Sequence, residues 1–162
     1  GIQSALTGPL VLTPVHCNDS ASGAARLVDM GAEPFLVASA ATSFISQRLV
    51  RKICEHCRTE DRPKPEVLET LRIEDDGSTY YRGRGCDHCR GTGYFGRTAV
   101  FEIMMVNDVI SGAITRRESS GEIRRLAHSL GFESLRDDAV KKARDGLTTL
   151  EEVVRGVWIE EE

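Results

Sequence analysis

Two Cys-x-x-Cys pairs constrain this chain more than any other feature. Cys54-Glu55-His56-Cys57 and Cys86-Asp87-His88-Cys89 stand 28 residues apart. Such a turn aims two thiolates at one point, and two turns together supply the tetrahedral sulfur shell that zinc prefers. Four protein ligands leave no open coordination position, so the metal is predicted to be structural. The fifth cysteine, Cys17, is remote in sequence, and an odd count with paired spacing argues against a disulfide scaffold. Two redox pairs would each need a thioredoxin-like helix start, and the spacing matches no iron–sulfur pattern. His56 and His88 lie between ligands of a closed shell and are predicted to be exposed at the knuckle tips. Four thiolates and one Zn²⁺ carry a net charge of about −2, which Arg51, Arg58, Arg84 and Arg90 are expected to offset.

The remainder is ordinary globular composition: 162 residues, 40% hydrophobic and 28% charged. That excludes a wholly disordered chain. The formal net charge of −4 gives no support to bulk nucleic-acid binding. No apolar run approaches the roughly 18–20 residues of a membrane-spanning helix, and no signal-peptide pattern is visible at the N-terminus.

The fold class predicted is α/β. Pro9-Leu10-Val11-Leu12-Thr13 reads as a buried strand, and Asn18-Asp19-Ser20 as the cap of a short helix that stops near Gly31. Pro34 opens a second helix, which the spacing of Val37, Ala41, Phe44, Ile45 and Leu49 extends through Val50. Between the knuckles a short helix is expected around Glu66 to Arg72. Thr98 to Val106 reads as a strand. Helices then follow behind Asn107 or Asp108, Ser119 (a capping box with Glu122), Ser134 and Thr148-Thr149, with Gly131 and Gly146 as stops. Trp158, the one tryptophan, is expected to pack locally.

Several stretches resemble the hexameric motor ATPases of type II secretion and type IV pilus assembly. Thr7-Gly8-Pro9-Leu10-Val11-Leu12-Thr13-Pro14-Val15-His16-Cys17-Asn18-Asp19 is similar to their histidine box. Ala25 to Leu36 resembles their helix pair, and Ser46-Gln47-Arg48-Leu49-Val50-Arg51 the run before their first knuckle. Gly85 to Arg97 resembles the second knuckle, and Leu147 to Val153 the C-terminal signature. Pro9 and Cys17 depart from the family, which usually has His and Thr there. The resemblance implies the C-terminal portion of a RecA-like P-loop NTPase core, with an inserted Cys₄ zinc module and a C-terminal helical region. The implied divisions are 1–51 for the end of the core with its histidine box, 52–97 for the zinc module, and 98–162 for the last strand and helices.

It also implies site residues. His16 would act near the nucleotide phosphates, and Arg26, Gln47 and Arg48 would line a subunit interface. Cys54, Cys57, Cys86 and Cys89 would hold structural Zn²⁺. ATP and Mg²⁺ belong to the full-length parent only, because no G-x-x-x-x-G-K-[ST] loop occurs in these residues. The implied parent is a cytoplasmic homo-hexamer, peripheral to the bacterial inner membrane, that moves an inner-membrane platform protein. No nucleic acid is expected. The alternative is a stand-alone zinc-ribbon module contacting nucleic acid or unfolded protein, motivated by Arg82, Arg84, Arg90 and Arg97. Cys86 to Gly93 also resembles one repeat of the J-domain co-chaperone zinc region, but Arg58-Thr59-Glu60-Asp61 breaks that repeat after the first knuckle.

Overall fold

Two hydrophobic cores organise the chain in the computed structural model, which describes residues 1–157. Trp158 lies outside the described residues. The elements run α1 (Ile2–Leu6), α2 (Ser20–Asp29), α3 (Pro34–Ala40), β1 (Ser43–Ile53), β2 (Arg58–Asp61) and α4 (Pro65–Leu71). They continue with β3 (Tyr80–Gly83), β4 (Tyr94–Met105), α5 (Asp108–Thr115), α6 (Ser120–Ser129), α7 (Leu135–Arg144) and α8 (Leu150–Gly156). The class is mixed α/β. β1 pairs with β4, and β2 pairs with β3. The chain divides into two units: Gly1–Ser46 with Glu102–Glu133, and Gln47–Phe101 with Ser134–Glu162.

In the first unit, α2 buries Ala21 and Ala24, α3 buries Val37, and α5 buries Ile110, Ala113 and Ile114. Ile123 and Ala127 of α6, Phe44 and Met104 complete this core. Three of these helices, α2, α5 and α6, start at a side-chain cap. Asp19 accepts from the Ser22 amide, Asn107 from the Ile110 amide and Ser119 from the Glu122 amide. The Asp19 carboxyl is pushed up by burial, but its bonds from Ser22 and Arg124 outweigh this and hold it below the usual range. Buried Glu102 accepts from the Ser20 amide at 2.6 Å, satisfying a donor that opens α2.

The second unit is built around Val50, Leu68, Leu71, Tyr80, Val100, Leu135, Ala139 and Val153. β2 and β3 form an antiparallel ribbon with Arg58 opposite Gly83 and Asp61 opposite Tyr80. Ser134 and Asp137 make a full capping box at the start of α7. At Ser119 only half of the predicted box forms, because the Glu122 carboxylate turns to Arg125 at 2.6 Å.

Two predicted elements are corrected. Residues 9–17 form neither strand nor helix, and Leu10 and Leu12 are 81% and 86% exposed. An apolar run becomes a strand only where a neighbour completes its ladder, and the described residues pair none with it. The second helix ends at Ala40 and does not reach Val50; β1 replaces its second half. Pairing with β4 overrides the helical spacing. Phe44, Val50 and Ile53 are buried in β1, whereas Ile45 and Leu49, assigned inward by the helical reading, are exposed.

Candidate metal centre and histidine segment

The four cysteines of the two pairs converge. Their sulfur atoms all lie within 4.8 Å of one another, and they are the one such ligand cluster among the described residues. Sγ–Sγ separations are 3.8 Å for Cys54–Cys86, 3.9 Å for Cys57–Cys89 and 3.7 Å for Cys86–Cys89. A tetrahedral ion with Zn–S bonds of about 2.3 Å requires sulfurs roughly 3.8 Å apart. The cluster therefore has the dimensions of a zinc site, and these spacings are far too long for disulfides. Cys54, Cys57 and Cys89 are buried and Cys86 half-buried.

Local backbone geometry explains the convergence. Each knuckle is a tight turn, closed by Cys57 N to Cys54 O at 3.2 Å and by Gly91 N to Cys86 O at 2.9 Å. The amides of Cys86 and Gly93 both point at Cys89 Sγ, at 3.2 Å. The Gly93 carbonyl accepts from the Cys54 amide at 2.9 Å, tying the second knuckle's exit to the first knuckle's start. Here glycine is a steric requirement. A Cβ on Gly83 would sit 2.0 Å from the Gly93 carbonyl oxygen, and one on Gly93 would sit 2.5 Å from that of Gly83.

The thiols are electrostatically unequal. Burial pushes Cys57 up to about 11 and also raises Cys54. At Cys89 burial acts in the same sense, but the Cys86 and Gly93 amides outweigh it and bring the thiol to about 6. One sulfur is thus prepared as a thiolate while Cys54 and Cys57 resist ionising beside it. A dication resolves that conflict, because its charge allows four thiolates in one shell, with release of protons on binding.

A polar clamp anchors the module's two exits to α8. Glu152 is 1% exposed and receives Arg51 Nη2 at 2.6 Å, the Arg51 amide at 3.0 Å and Arg155 Nε at 2.7 Å. Burial acts to raise its carboxyl, but the two guanidinium groups overcome this and hold it at about 2. Arg51 also lies over the Tyr94 ring at 4.1 Å, and Tyr94 Oη bonds Thr149 Oγ1 at 2.8 Å. Thr148 Oγ1 donates to Arg51 O, and Ile53 N to Leu147 O. Sequence reasoning missed this clamp. Its signal was the Thr149-x-x-Glu152 spacing: Thr149 caps α8, but the glutamate serves arginines rather than the cap amide.

Two arginines expected to compensate the thiolates are thus otherwise engaged. Arg51 binds Glu152, and Arg58 stacks on Tyr81 and donates to Gly146 O. Of the basic cluster, Arg82 is paired with Asp61 at 3.4 Å. His56 and His88 are exposed, as predicted, with ring centres 4.1 Å apart, and Phe95 lies 4.2 Å from His88.

His16 is exposed in the irregular stretch 9–17, and Cys17 beside it is half-buried, with Sγ 3.7 Å from Val15 O. Arg26 is exposed on α2. Gln47 and Arg48 lie on β1, not at a helix end.

Residues 1–155 match the family described as type II/IV secretion system protein. The chain belongs to that family. It is 45% identical over 155 residues to the type IV pilus assembly ATPase PilB of Thermus thermophilus, covering 94% of this chain and 17% of that protein. It is 40% identical over 154 residues to the type II secretion system protein HxcR of Pseudomonas aeruginosa, covering 95% and 29%. With the type II secretion system protein E of Xanthomonas campestris it shares 41% identity over 158 residues, covering 95% and 28%. The chain thus spans less than a third of the length of each of these family members. Among the described residues no helix is long and apolar enough to cross a membrane.

Proposed function

We propose that this chain is the zinc-bearing C-terminal part of a motor ATPase that drives protein secretion or pilus assembly. The observation that carries the reading is the pairing of family membership over residues 1–155 with a four-sulfur cluster of zinc dimensions. In this reading residues 1–51 close a RecA-like core, 52–97 form the zinc module, and 98–162 supply the last strand and helices. ATP and Mg²⁺ bind elsewhere in the parent, whose phosphate loop these residues lack.

Cys54, Cys57, Cys86 and Cys89 hold a structural Zn²⁺, which fixes the two knuckles and supplies no open position for chemistry. The Glu152–Arg51–Arg155 clamp keeps the module's exits on α8, so that motion of this unit is passed on as a rigid body. His16 faces the nucleotide phosphates of the assembled motor, where an imidazole reads the presence of the last phosphate. Arg26, Gln47 and Arg48 contribute to contacts between subunits of a homo-hexamer. The assembly works in the cytoplasm against an inner-membrane platform protein.

The test is a graft. The matching segment of the Thermus thermophilus pilus assembly ATPase is replaced by this chain, and pili and ATP turnover are measured in a strain lacking the native protein. The graft is expected to restore both, and its Cys54→Ser and His16→Ala forms to fail in pilus assembly. A zinc-loaded, stable graft with full function after His16→Ala would remove the role given to that residue. Steady ATP hydrolysis by the isolated chain would contradict the placement of the nucleotide site elsewhere.

A further inference from the structure

We propose that His56 and His88 form a second, open metal site at the knuckle tips, taking one Zn²⁺ or a similar imidazole-preferring divalent ion. It is distinct from the closed sulfur cluster and does not rest on the motor reading. Both knuckles carry the same Cys-acid-His-Cys order, so each places one imidazole between two cysteines of the cluster. The two rings are exposed, their centres are 4.1 Å apart, and their planes are inclined by 35°.

The separation lies within a small adjustment of what a shared ion requires. With Zn–N bonds of about 2.0–2.1 Å and an angle near 90–110° at the metal, two ligating imidazoles have ring centres roughly 4.5–5 Å apart. Opening the observed pair by less than about 1 Å reaches that range, and exposed side chains make the adjustment by small rotations. Phe95 supports His88 at 4.2 Å, and closure of the sulfur cluster fixes both backbones, so little ordering is left for the ion to impose.

No third cysteine, histidine or carboxylate ligand atom joins the pair among the described residues. Two protein ligands leave the other positions to water or to a donor from a partner. This ion is therefore exchangeable, whereas the sulfur-bound ion is not. Neutral imidazole suits zinc, nickel and copper and disfavours magnesium and calcium.

The zinc-loaded protein, desalted to retain only tightly held metal, is titrated with Zn²⁺ alone at constant pH. Equilibrium dialysis counts the ions, and imidazole ¹H–¹⁵N spectra follow His16, His56, His88 and His128 separately. One additional saturable equivalent is expected, with His56 and His88 resonances moving together and His16 and His128 unmoved. His56→Ala and His88→Ala are each expected to weaken that equivalent at least tenfold while the sulfur-bound zinc stays, and His128→Ala to change neither. No saturable second equivalent, or a second equivalent that survives both single substitutions, overturns the proposal. Failure of the sulfur site would appear separately, as loss of the metal that survives desalting.

Discussion

The knuckle region and the histidine segment are both motif-bearing, yet they differ in how much of their environment the chain itself supplies. Around the cysteines, every sulfur of the cluster comes from one 36-residue span (Cys54 to Cys89), amides aim at sulfur, and two glycine backbones cross within a Cβ's reach. In residues 9–17 there is no ladder and no helix, and Leu10 and Leu12 stand in solvent. A metal knuckle carries its partners inside its own motif. A strand-like motif does not, because backbone donors and acceptors must be met by a neighbour. The contrast predicts that the knuckles are intolerant of change and that the histidine segment is, for stability, indifferent to it.

The contrast breaks most directly at a ligand. A structural zinc contributes on the order of 10 kcal/mol to folding, comparable with the whole stability of a domain. Cys54→Ser is therefore expected to unfold the module, read as new proteolytic cleavage between residues 54 and 97 and loss of amide protection there. Gly93→Ala should follow at about 3 kcal/mol, because φ is +76° and the added Cβ meets a carbonyl oxygen at 2.5 Å. Chemical denaturation measures it, and a neutral result would mean that the crossing of the two glycines is loose.

Glu152→Gln sharpens the comparison from inside the same unit. Removing the buried charge leaves two arginines able to reach water, so the loss is about 2 kcal/mol, below that of a buried pair with no escape. The pH dependence has a definite sign. The folded carboxyl, at about 2, lies below its unfolded value near 4.5. Its contribution is complete above about pH 4.5 and is lost as pH falls toward 2. A denaturation midpoint followed from pH 6 to 2 should fall less steeply in the Gln variant than in the parent. At the other extreme, His16→Ala should change stability by less than about 0.5 kcal/mol, since the side chain is exposed and anchors no element. A melting-temperature shift of several degrees would show that the segment is built into a core after all.

What was legible in the sequence follows the same division. The convergence of the four paired cysteines, the helix starts at Asp19, Asn107, Ser134 and Thr149, and a strand through Thr98 (it begins earlier, at Tyr94) rest on chemistry within a few residues. β1 was misread because Val37, Ala41, Phe44 and Leu49 satisfy a helical period by chance, while pairing with β4 decides the outcome. The clamp was missed because its members, Arg51, Tyr94, Thr149, Glu152 and Arg155, come from three separate stretches that only the fold assembles.

The metal content of the desalted protein tests the central claim most directly. Elemental analysis should find one zinc per chain, and none after Cys54→Ser or Cys86→Ser. A chelator should lower the melting temperature of the parent protein. A zinc-free parent whose melting is unmoved by the chelator would contradict the account.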